Sequence, residues 1–302
     1  MKARLGINTG FAANRYPEPE EWTRIAGEFL GLRYVQLTAT LLNPSLPEKI
    51  ILSQTKKIRN ASEEHGIRIQ HTFTDAYTQL NHLAHPDEDT RKYWVGWFKK
   101  FAEISAELGA ESTGSHLGIF SVRDIKDPKR REFVFKETLR GWAEISDHAK
   151  AAGLKYLTWE PMSIPREQGE TIKEAERIHK ALNKVTSIPM KMCLDVDHGL
   201  KTSGNADDIN PYAWIRAFGK ETPVMHIKQT YGAKGGPFPF TADYNKDGIV
   251  RPEKILAALK EAAAADVMLA LEINAPGREP WESTFLDSIK ASVDYWRTYV
   301  KD

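Results

Sequence analysis

The segment AAGLKYLTWEP, residues 151–161, contains the pattern that decides the fold. A helix-like run ends at Ala152, Gly153 follows it, and a short apolar run then ends on the carboxylate of Glu160. Glycine is typical of the position after a helix, because it accepts the left-handed conformation that releases the chain. The segment therefore predicts a helix that turns directly into a buried strand.

The same pattern recurs along the chain, at Leu30-Gly31, His65-Gly66 and Leu108-Gly109. The predicted strands are Arg4–Thr9, Tyr34–Thr38, Ile67–Phe73, Ala110–His116, Lys155–Glu160, Met190–Asp195, Val224–Lys228 and Met268–Glu272. The amphipathic, helix-like stretches between them are Pro19–Leu30, Lys49–His65, Asp89–Leu108, Lys129–Ala152, Thr171–Thr186, Pro252–Ala265 and Trp281–Lys301. Eight alternating units without a break in composition predict an α/β protein, a single (β/α)8 TIM barrel over residues 1–302. A doubly wound open sheet is the alternative, but no glycine-rich phosphate loop follows the first strand.

The composition is that of an ordinary folded protein. Of the 302 residues, 41% are hydrophobic and 27% are charged, and the net charge of +1 offers no basic excess for nucleic acid or a membrane surface. The single cysteine, Cys193, excludes an internal disulfide framework and fits a reducing compartment. No stretch approaches the roughly 18 apolar residues of a membrane helix, and the first residues do not read as a signal peptide. We therefore expect a cytoplasmic protein with no nucleic-acid or membrane partner.

Polar residues stand at the predicted tips of four consecutive strands. Strand five ends at Glu160, strand six at Asp195 and strand eight at Glu272, while strand seven carries His226. In a TIM barrel the reactive side chains lie at these tips. Each residue alone is more often a solvated acid or a core histidine, but the recurrence on neighbouring strands favours a shared metal site.

The donor set also limits the metal. Three clustered carboxylates repel one another, and a divalent cation resolves that conflict. Oxygen-rich sites suit Mg²⁺, Mn²⁺ or Co²⁺, and Zn²⁺ remains open. His198, three residues after Asp195, is predicted to make a hydrogen bond with substrate rather than to bind the metal, and Asp197 to face away or to support His198.

With Glu160, Asp195, His226 and Glu272 and the Asp195-x-x-His198 spacing, the chain resembles the xylose-isomerase-like TIM-barrel superfamily. That superfamily includes ketose 3-epimerases, hydroxypyruvate isomerase and the endonuclease IV branch. More narrowly, GINTGFAANRYPEPEEW (6–22), WEPMSIPRE (159–167) and HIKQT (226–230) are similar to the erythrulose-phosphate epimerase/isomerase group.

The resemblance implies a mechanism. It implies that Glu160 and Glu272 bind the metal and also act as acid and base on opposite faces of a short ketose or ketose phosphate. It further implies that the metal holds a carbonyl oxygen and a neighbouring hydroxyl and stabilises a cis-enediolate. The family often has a substrate-binding acid six residues after the strand-five glutamate, where this chain has Arg166. Arg166 could instead reach a phosphate or a hydroxyl.

Further substrate-binding candidates lie around the predicted mouth. They are His71, His116 and Asn8 near strand ends, and Lys228 after strand seven, where many TIM barrels bind phosphate. For His71 and His116, packing at the rim is an equal alternative. The run Asp243–Gly248 matches half of an EF-hand loop, but Lys254 stands where the bidentate Glu is needed, so we interpret the run as a simple loop.

The sequence leaves several functions open. The leading hypothesis is an isomerase or 3-epimerase that acts on a small-molecule sugar or sugar phosphate with one divalent metal ion. A metal-dependent phosphodiesterase of the AP-endonuclease type, a sugar-acid decarboxylase and a non-catalytic sugar-binding barrel are the alternatives. Barrels of this superfamily often pair, so a homo-oligomer also remains open.

Overall fold

The strands form one closed parallel barrel in chain order, which confirms the predicted (β/α)8 fold. The computed structural model describes residues 1–75, 80, 82–275 and 277–301. The strands are β1 (Lys2–Asn8), β2 (Tyr34–Thr38), β3 (Arg68–Phe73), β4 (Ser112–His116), β5 (Tyr156–Glu160), β6 (Met190–Asp195), β7 (Val224–Ile227) and β8 (Asp266–Leu271). Each predicted strand is present, with bounds that differ by at most two residues.

The helices lie between the strands and cover the outside of the barrel. They are α1 (Pro19–Arg24), α2 (Glu48–Glu64), α3 (Glu88–Glu107), α4 (Val122–Lys126), α5 (Pro128–Ala152), α6 (Ile172–Val185), α7 (Pro211–Phe218), α8 (Ala242–Asp247), α9 (Pro252–Glu261) and α10 (Trp281–Arg297). Within the described residues, no helix combines the length and the apolar character that crossing a membrane requires.

The helix ends follow the local signals of the sequence. Gly153 caps α5 with a φ of 95°, the left-handed conformation expected after a helix. Pro19 and Pro252 occupy the first position of α1 and α9, where a missing N–H costs nothing. The short helices α4, α7 and α8 were not predicted. The interpretation of Asp243–Gly248 as a loop was wrong in this respect, because most of it lies in α8.

The core has an outer and an inner part. Between the helices and the strands lies the main apolar cluster, which contains fully buried Trp22, Trp142 and Trp296. A second cluster joins side chains of several strands: Phe73, Cys193, Val224, Met268 and Ala270. These residues alternate along their strands with the outer set, so they fill the lumen beneath the strand tips.

Gly114 of β4 pairs with Thr158 of β5. A Cβ at this position would lie 2.0 Å from Thr158 Oγ1 and 2.8 Å from the Thr158 carbonyl oxygen. Thr158 is fully buried, so it has little space to retreat. The strand pairing therefore requires a residue without a side chain here.

We expect Gly114→Ala to destabilise the protein by about 1–3 kcal/mol, because it overpacks the lumen. Gly96→Ala is the matched control, since Gly96 lies on the exposed side of α3 with no neighbouring atom within 4 Å of an added Cβ. In an exposed helix this exchange should stabilise by about 0.5–1 kcal/mol. Thermal unfolding followed by circular dichroism measures both, and shifts of the same sign would contradict the prediction.

Candidate active site

The barrel geometry places the predicted metal ligands at one rim, where the strands end. Glu160 and Asp195 are the last residues of β5 and β6, and Glu272 follows β8 directly. The pairing of Asp195 with His226 places β7 at the same height. Since alternate residues of a strand share a face, His226 and Lys228 project to the same side.

The four predicted metal ligands meet in one buried cluster. His226 Nδ1 lies 3.0 Å from Glu160 Oε1, 3.5 Å from Glu272 Oε2 and 3.8 Å from Asp195 Oδ2. His226 is fully buried, and Glu160 and Asp195 are nearly so. Three carboxylate oxygens therefore lie within 4 Å of one imidazole nitrogen.

Lys228 is part of this cluster. Its Nζ lies 2.6 Å from Asp195 Oδ2 and 2.6 Å from Glu272 Oε2. Burial by itself lowers the pKa of Lys228, but the charges of Asp195 and Glu272 raise it well above the usual range. Lys228 was predicted to bind a substrate phosphate. The structure instead places its ammonium between two carboxylates, so Lys228 is an internal counter-charge.

The charges and the donor atoms fit one divalent cation. Burial lowers the pKa of His226, but neighbouring groups, Glu272 and Glu160 among them, raise it well above its usual range, so the ring is protonated while no cation is bound. Once His226 is a neutral ligand, three carboxylates and the ammonium of Lys228 leave two negative charges for a divalent cation to balance. Asp195 Oδ2 is buried and, apart from the ammonium of Lys228 at 2.6 Å, has no hydrogen-bond donor among the described residues. Asp195, His226 and Glu272 each offer a ligand atom within 4.8 Å of the others. Such a donor set suits a hard divalent ion.

Both glutamates are held in the ionised form. Burial raises the pKa of Glu160, but His226, His198 and His116 lower it well below the usual range. Burial likewise raises the pKa of Glu272, and His226 and Lys228 bring it below the usual value. At neutral pH each glutamate can therefore bind a cation or accept a proton.

Two further histidines border Glu160, as predicted for the mouth. His116 Nε2 lies 3.2 Å from Glu160 Oε2. His198 Nδ1 lies 3.0 Å from the carbonyl oxygen of Pro161, which can only accept, so this nitrogen carries the proton. His198 Nε2, 3.8 Å from Asp195 Oδ2, remains on the side of the cluster. His198 is half-buried and can be reached from the mouth.

His71, Asn8 and Arg166 are not brought to the cluster as substrate-binding groups. His71 lies in the lumen, fully buried, with Nδ1 2.9 Å from Ser112 Oγ, and burial lowers its pKa to about 3. Asn8 is also buried, and its amide bonds Gly10 N and Gln36 Oε1. Arg166 donates to the carbonyl oxygen of Phe120 at 2.9 Å and so ties the loop after β5 to the loop after β4. Burial and internal hydrogen bonding, which the sequence does not show, explain all three differences.

Two residues at the site were not singled out from the sequence. Gln36 in β2 contacts His226 Nε2, with Oε1 at 2.7 Å. Asp75 follows β3 and accepts a hydrogen bond from Thr40, and burial together with the charges of Glu272 and Glu160 raises its pKa. The signal for Gln36 was an uncharged polar residue inside an otherwise apolar strand. Asp75 carries no comparable local signal.

Asp197 supports a loop rather than His198. It accepts hydrogen bonds from Thr230 Oγ1 at 2.5 Å and from the backbone N–H of Gly236 at 2.9 Å. Thr230 and Gly236 belong to the long loop after β7, which contains Lys234. The carboxylate therefore joins the loop after β6 to the loop after β7.

Comparison with known proteins gives consistent results. Residues 26–298 match the family described as Xylose isomerase-like TIM barrel. The chain is 42% identical to D-erythrulose 1-phosphate 3-epimerase of Brucella abortus (strain 2308), over 99% of this chain and 97% of that protein. It resembles a solved structure from Rhodospirillum rubrum ATCC 11170, provisionally assigned as a xylose isomerase, with a TM-score of 0.89, 26% identity and coverage of 99% and 100%. A D-psicose 3-epimerase structure at 14% identity, with a TM-score of 0.71 and coverage of 98% and 99%, shares the fold.

The buried His71 should make stability depend on pH. Its pKa of about 3 lies below the 6.5 of an exposed histidine, so between these values the unfolded chain binds a proton that the folded protein does not. His71 therefore leaves the free energy of unfolding unchanged above pH 6.5. Below pH 6.5 it lowers the free energy of unfolding by up to about 1.4 kcal/mol per pH unit. We expect His71→Gln to reduce this loss, measured as thermal midpoints from pH 7.5 to 4.5. Parallel curves for wild type and variant would contradict the assignment.

Proposed function

Because this chain belongs to the xylose isomerase-like TIM-barrel family, we propose that it is a divalent-metal-dependent 3-epimerase or isomerase of a short ketose phosphate. The observation that supports this most is the pair of ionised glutamates, Glu160 and Glu272, whose carboxylates lie 3.0 and 3.5 Å from His226 Nδ1. Epimerisation next to a carbonyl needs one group to remove a proton and a second group to return it. Two such carboxylates from different strands meet that requirement.

We assign the acid and base roles to Glu160 and Glu272. One glutamate removes the proton from the carbon next to the carbonyl, and the bonding pair moves into an enediolate. As the negative enediolate forms, the other glutamate takes up a proton from solvent and returns it to the opposite face of that carbon. The first glutamate then releases its proton to solvent, so both end in their starting form. When bound, a divalent cation would polarise the substrate carbonyl, and Glu160, Asp195, His226 and Glu272 would hold it.

The neighbouring groups have supporting roles in this proposal. His198 borders Glu160, and its Nε2, which carries no proton, is placed to accept a hydrogen bond from a substrate hydroxyl group. His116 contacts Glu160 through its Nε2. Lys228 keeps Asp195 and Glu272 ionised and in place by its ammonium charge. Since the donors are mostly oxygen, we favour Mn²⁺, Mg²⁺ or Co²⁺ over Zn²⁺. A cytoplasmic location fits the reduced, buried Cys193.

The proposed substrate is D-erythrulose 1-phosphate or a close analogue. The support is the 42% identity, over almost the whole of both chains, to a protein with the name D-erythrulose 1-phosphate 3-epimerase. Arg166, which the sequence suggested for phosphate, is bonded to Phe120. We therefore look for the phosphate site elsewhere, and the exposed Lys234 in the loop after β7 is one candidate.

A substrate panel in D₂O tests this function. Tetrulose, pentulose and hexulose substrates, each with and without phosphate, are incubated with enzyme and Mn²⁺, Mg²⁺ or Co²⁺ and followed by NMR. We expect deuterium at carbon 3 and formation of the 3-epimer, fastest with the tetrulose phosphate, and loss of both on chelation. Turnover without deuterium incorporation, or full activity after chelation, would refute proton transfer or the metal requirement, respectively.

Hydrogen exchange at carbon 3 should distinguish the roles of the two glutamates. We expect Glu160→Gln and Glu272→Gln each to reduce epimerisation by about 10²–10⁴-fold, because each loses one proton-transfer group. Each variant should still exchange the carbon 3 hydrogen of one epimer, and a different epimer in each case. Glu111→Gln is the control, since Glu111 pairs with Arg68 away from the cluster. Metal content is measured for each variant, and near-normal turnover of either metal-loaded glutamate variant would remove that residue from the pair.

A further inference from the structure

Gln36 connects the metal-ligand cluster to the first turn of the chain. It lies in β2, is fully buried, and its Oε1 has two neighbours that can donate hydrogen bonds. His226 Nε2 lies at 2.7 Å and Asn8 Nδ2 at 2.8 Å from this oxygen. The imidazole of His226 thus has one nitrogen on Gln36 and the other, Nδ1, on the carboxylates.

The direction of each hydrogen bond in this chain is determined. The backbone N–H of Gly10 donates to Asn8 Oδ1 at 2.7 Å, and a backbone N–H can only donate. Asn8 therefore turns its NH₂ group toward Gln36. A Gln36 NH₂ group in that place would face another NH₂ group, so Gln36 must present its oxygen. His226 Nε2 must then carry a hydrogen to donate to that oxygen.

The environment of Gln36 Nε2 shows how strongly the orientation of the Gln36 amide is determined. Gln36 Nε2 is buried and has no hydrogen-bond partner among the described residues. An unpaired buried donor is costly, yet rotating the amide would set the NH₂ groups of Gln36 and Asn8 against each other and remove the acceptor from His226 Nε2. The contacts with Asn8 and His226 therefore decide the orientation of the amide.

We propose that Asn8 and Gln36 form a relay that starts at the Gly10 backbone and fixes His226 as the Nε2–H tautomer. His226 Nδ1, the nitrogen that lies against Glu160, Asp195 and Glu272, is then the one available as a metal ligand. Metal-binding histidines need such a partner on the second nitrogen, which sets both the tautomer and the ring orientation. Asn8 and Gln36 are thus positioning residues. The inference rests on the proposed metal site and not on the proposed substrate.

Metal affinity of four variants tests the relay, by competition of Mn²⁺ or Co²⁺ with a chelating indicator. Gln36→Leu removes the acceptor and should weaken binding by about 10–100-fold. Gln36→Glu keeps an acceptor for both donors and should restore binding to near the wild-type value. Gln70→Leu is the matched control, because Gln70 is buried in the next strand and its Oε1 has no hydrogen-bond partner among the described residues. It should leave the affinity unchanged.

Asn8→Asp is the most discriminating variant, because the relay and the added charge predict opposite changes in metal affinity. The substituted carboxylate still accepts from Gly10 N, but it presents oxygen to Gln36, so the Gln36 amide must rotate and offer NH₂ to His226 Nε2. The His226 hydrogen then moves to Nδ1 and blocks the metal side. We expect weaker metal binding, although the added negative charge alone would strengthen it. Tighter or unchanged binding in Asn8→Asp would overturn the relay, even if Gln36→Leu fails to fold.

The tautomer itself has a direct readout. In protein with ¹⁵N-labelled histidine, the relay predicts a slowly exchanging His226 Nε2–H signal that disappears in Gln36→Leu and persists in Gln36→Glu and Gln70→Leu. Loss of the signal in Gln70→Leu, or its persistence in Gln36→Leu, would show that Gln36 does not hold this hydrogen. Metal affinity and this signal are independent of turnover, so a failure of the proposed reaction would leave both measurements interpretable.

Discussion

The confinement of like charges at the carboxyl ends of the strands is the constraint on which the site depends. Glu160, Asp195 and Glu272 are all held close to His226, in a rim from which water is largely excluded. Carboxylates in such surroundings resist ionisation unless positive charge is close. Lys228 supplies one such charge, and a divalent cation would supply the remainder. The same cation that balances the negative charge of the cluster would also act as the Lewis acid that polarises the substrate carbonyl.

The barrel holds the acids close together because each acid lies at a rigid strand end. The tips of β5, β6 and β7 are locked by strand pairing, and the lumen below them is filled by Phe73, Cys193 and Met268. Below and beside the cluster, polar side chains are satisfied by one another, as in the Gly10–Asn8–Gln36–His226 series. The acids therefore cannot relax away from one another by moving their backbones.

Much of the fold and the ligand set could be predicted from the sequence, because both depend on local patterns. A strand that ends in an acid places that acid at the barrel rim, so Glu160 and Asp195 followed from strand boundaries alone. The direction of a long side chain does not follow from such a pattern. Lys228 was assigned to phosphate, and His71 and Asn8 to the mouth, because only the packed structure shows which polar groups find partners inside. Short helices such as α7 were missed because eight residues carry too little periodicity.

Asp197 limits how the loops at the mouth of the barrel can change, in evolution or in the laboratory. By accepting from both Thr230 and Gly236, it fastens the loop after β7 to the turn that also carries His198. Loops of TIM barrels are usually regarded as modules that can be exchanged one at a time. Here the loops after β6 and β7 form one unit, so an exchange of either loop must retain this carboxylate and its two donors. New substrate preferences on this scaffold should therefore arise by paired changes in the two loops.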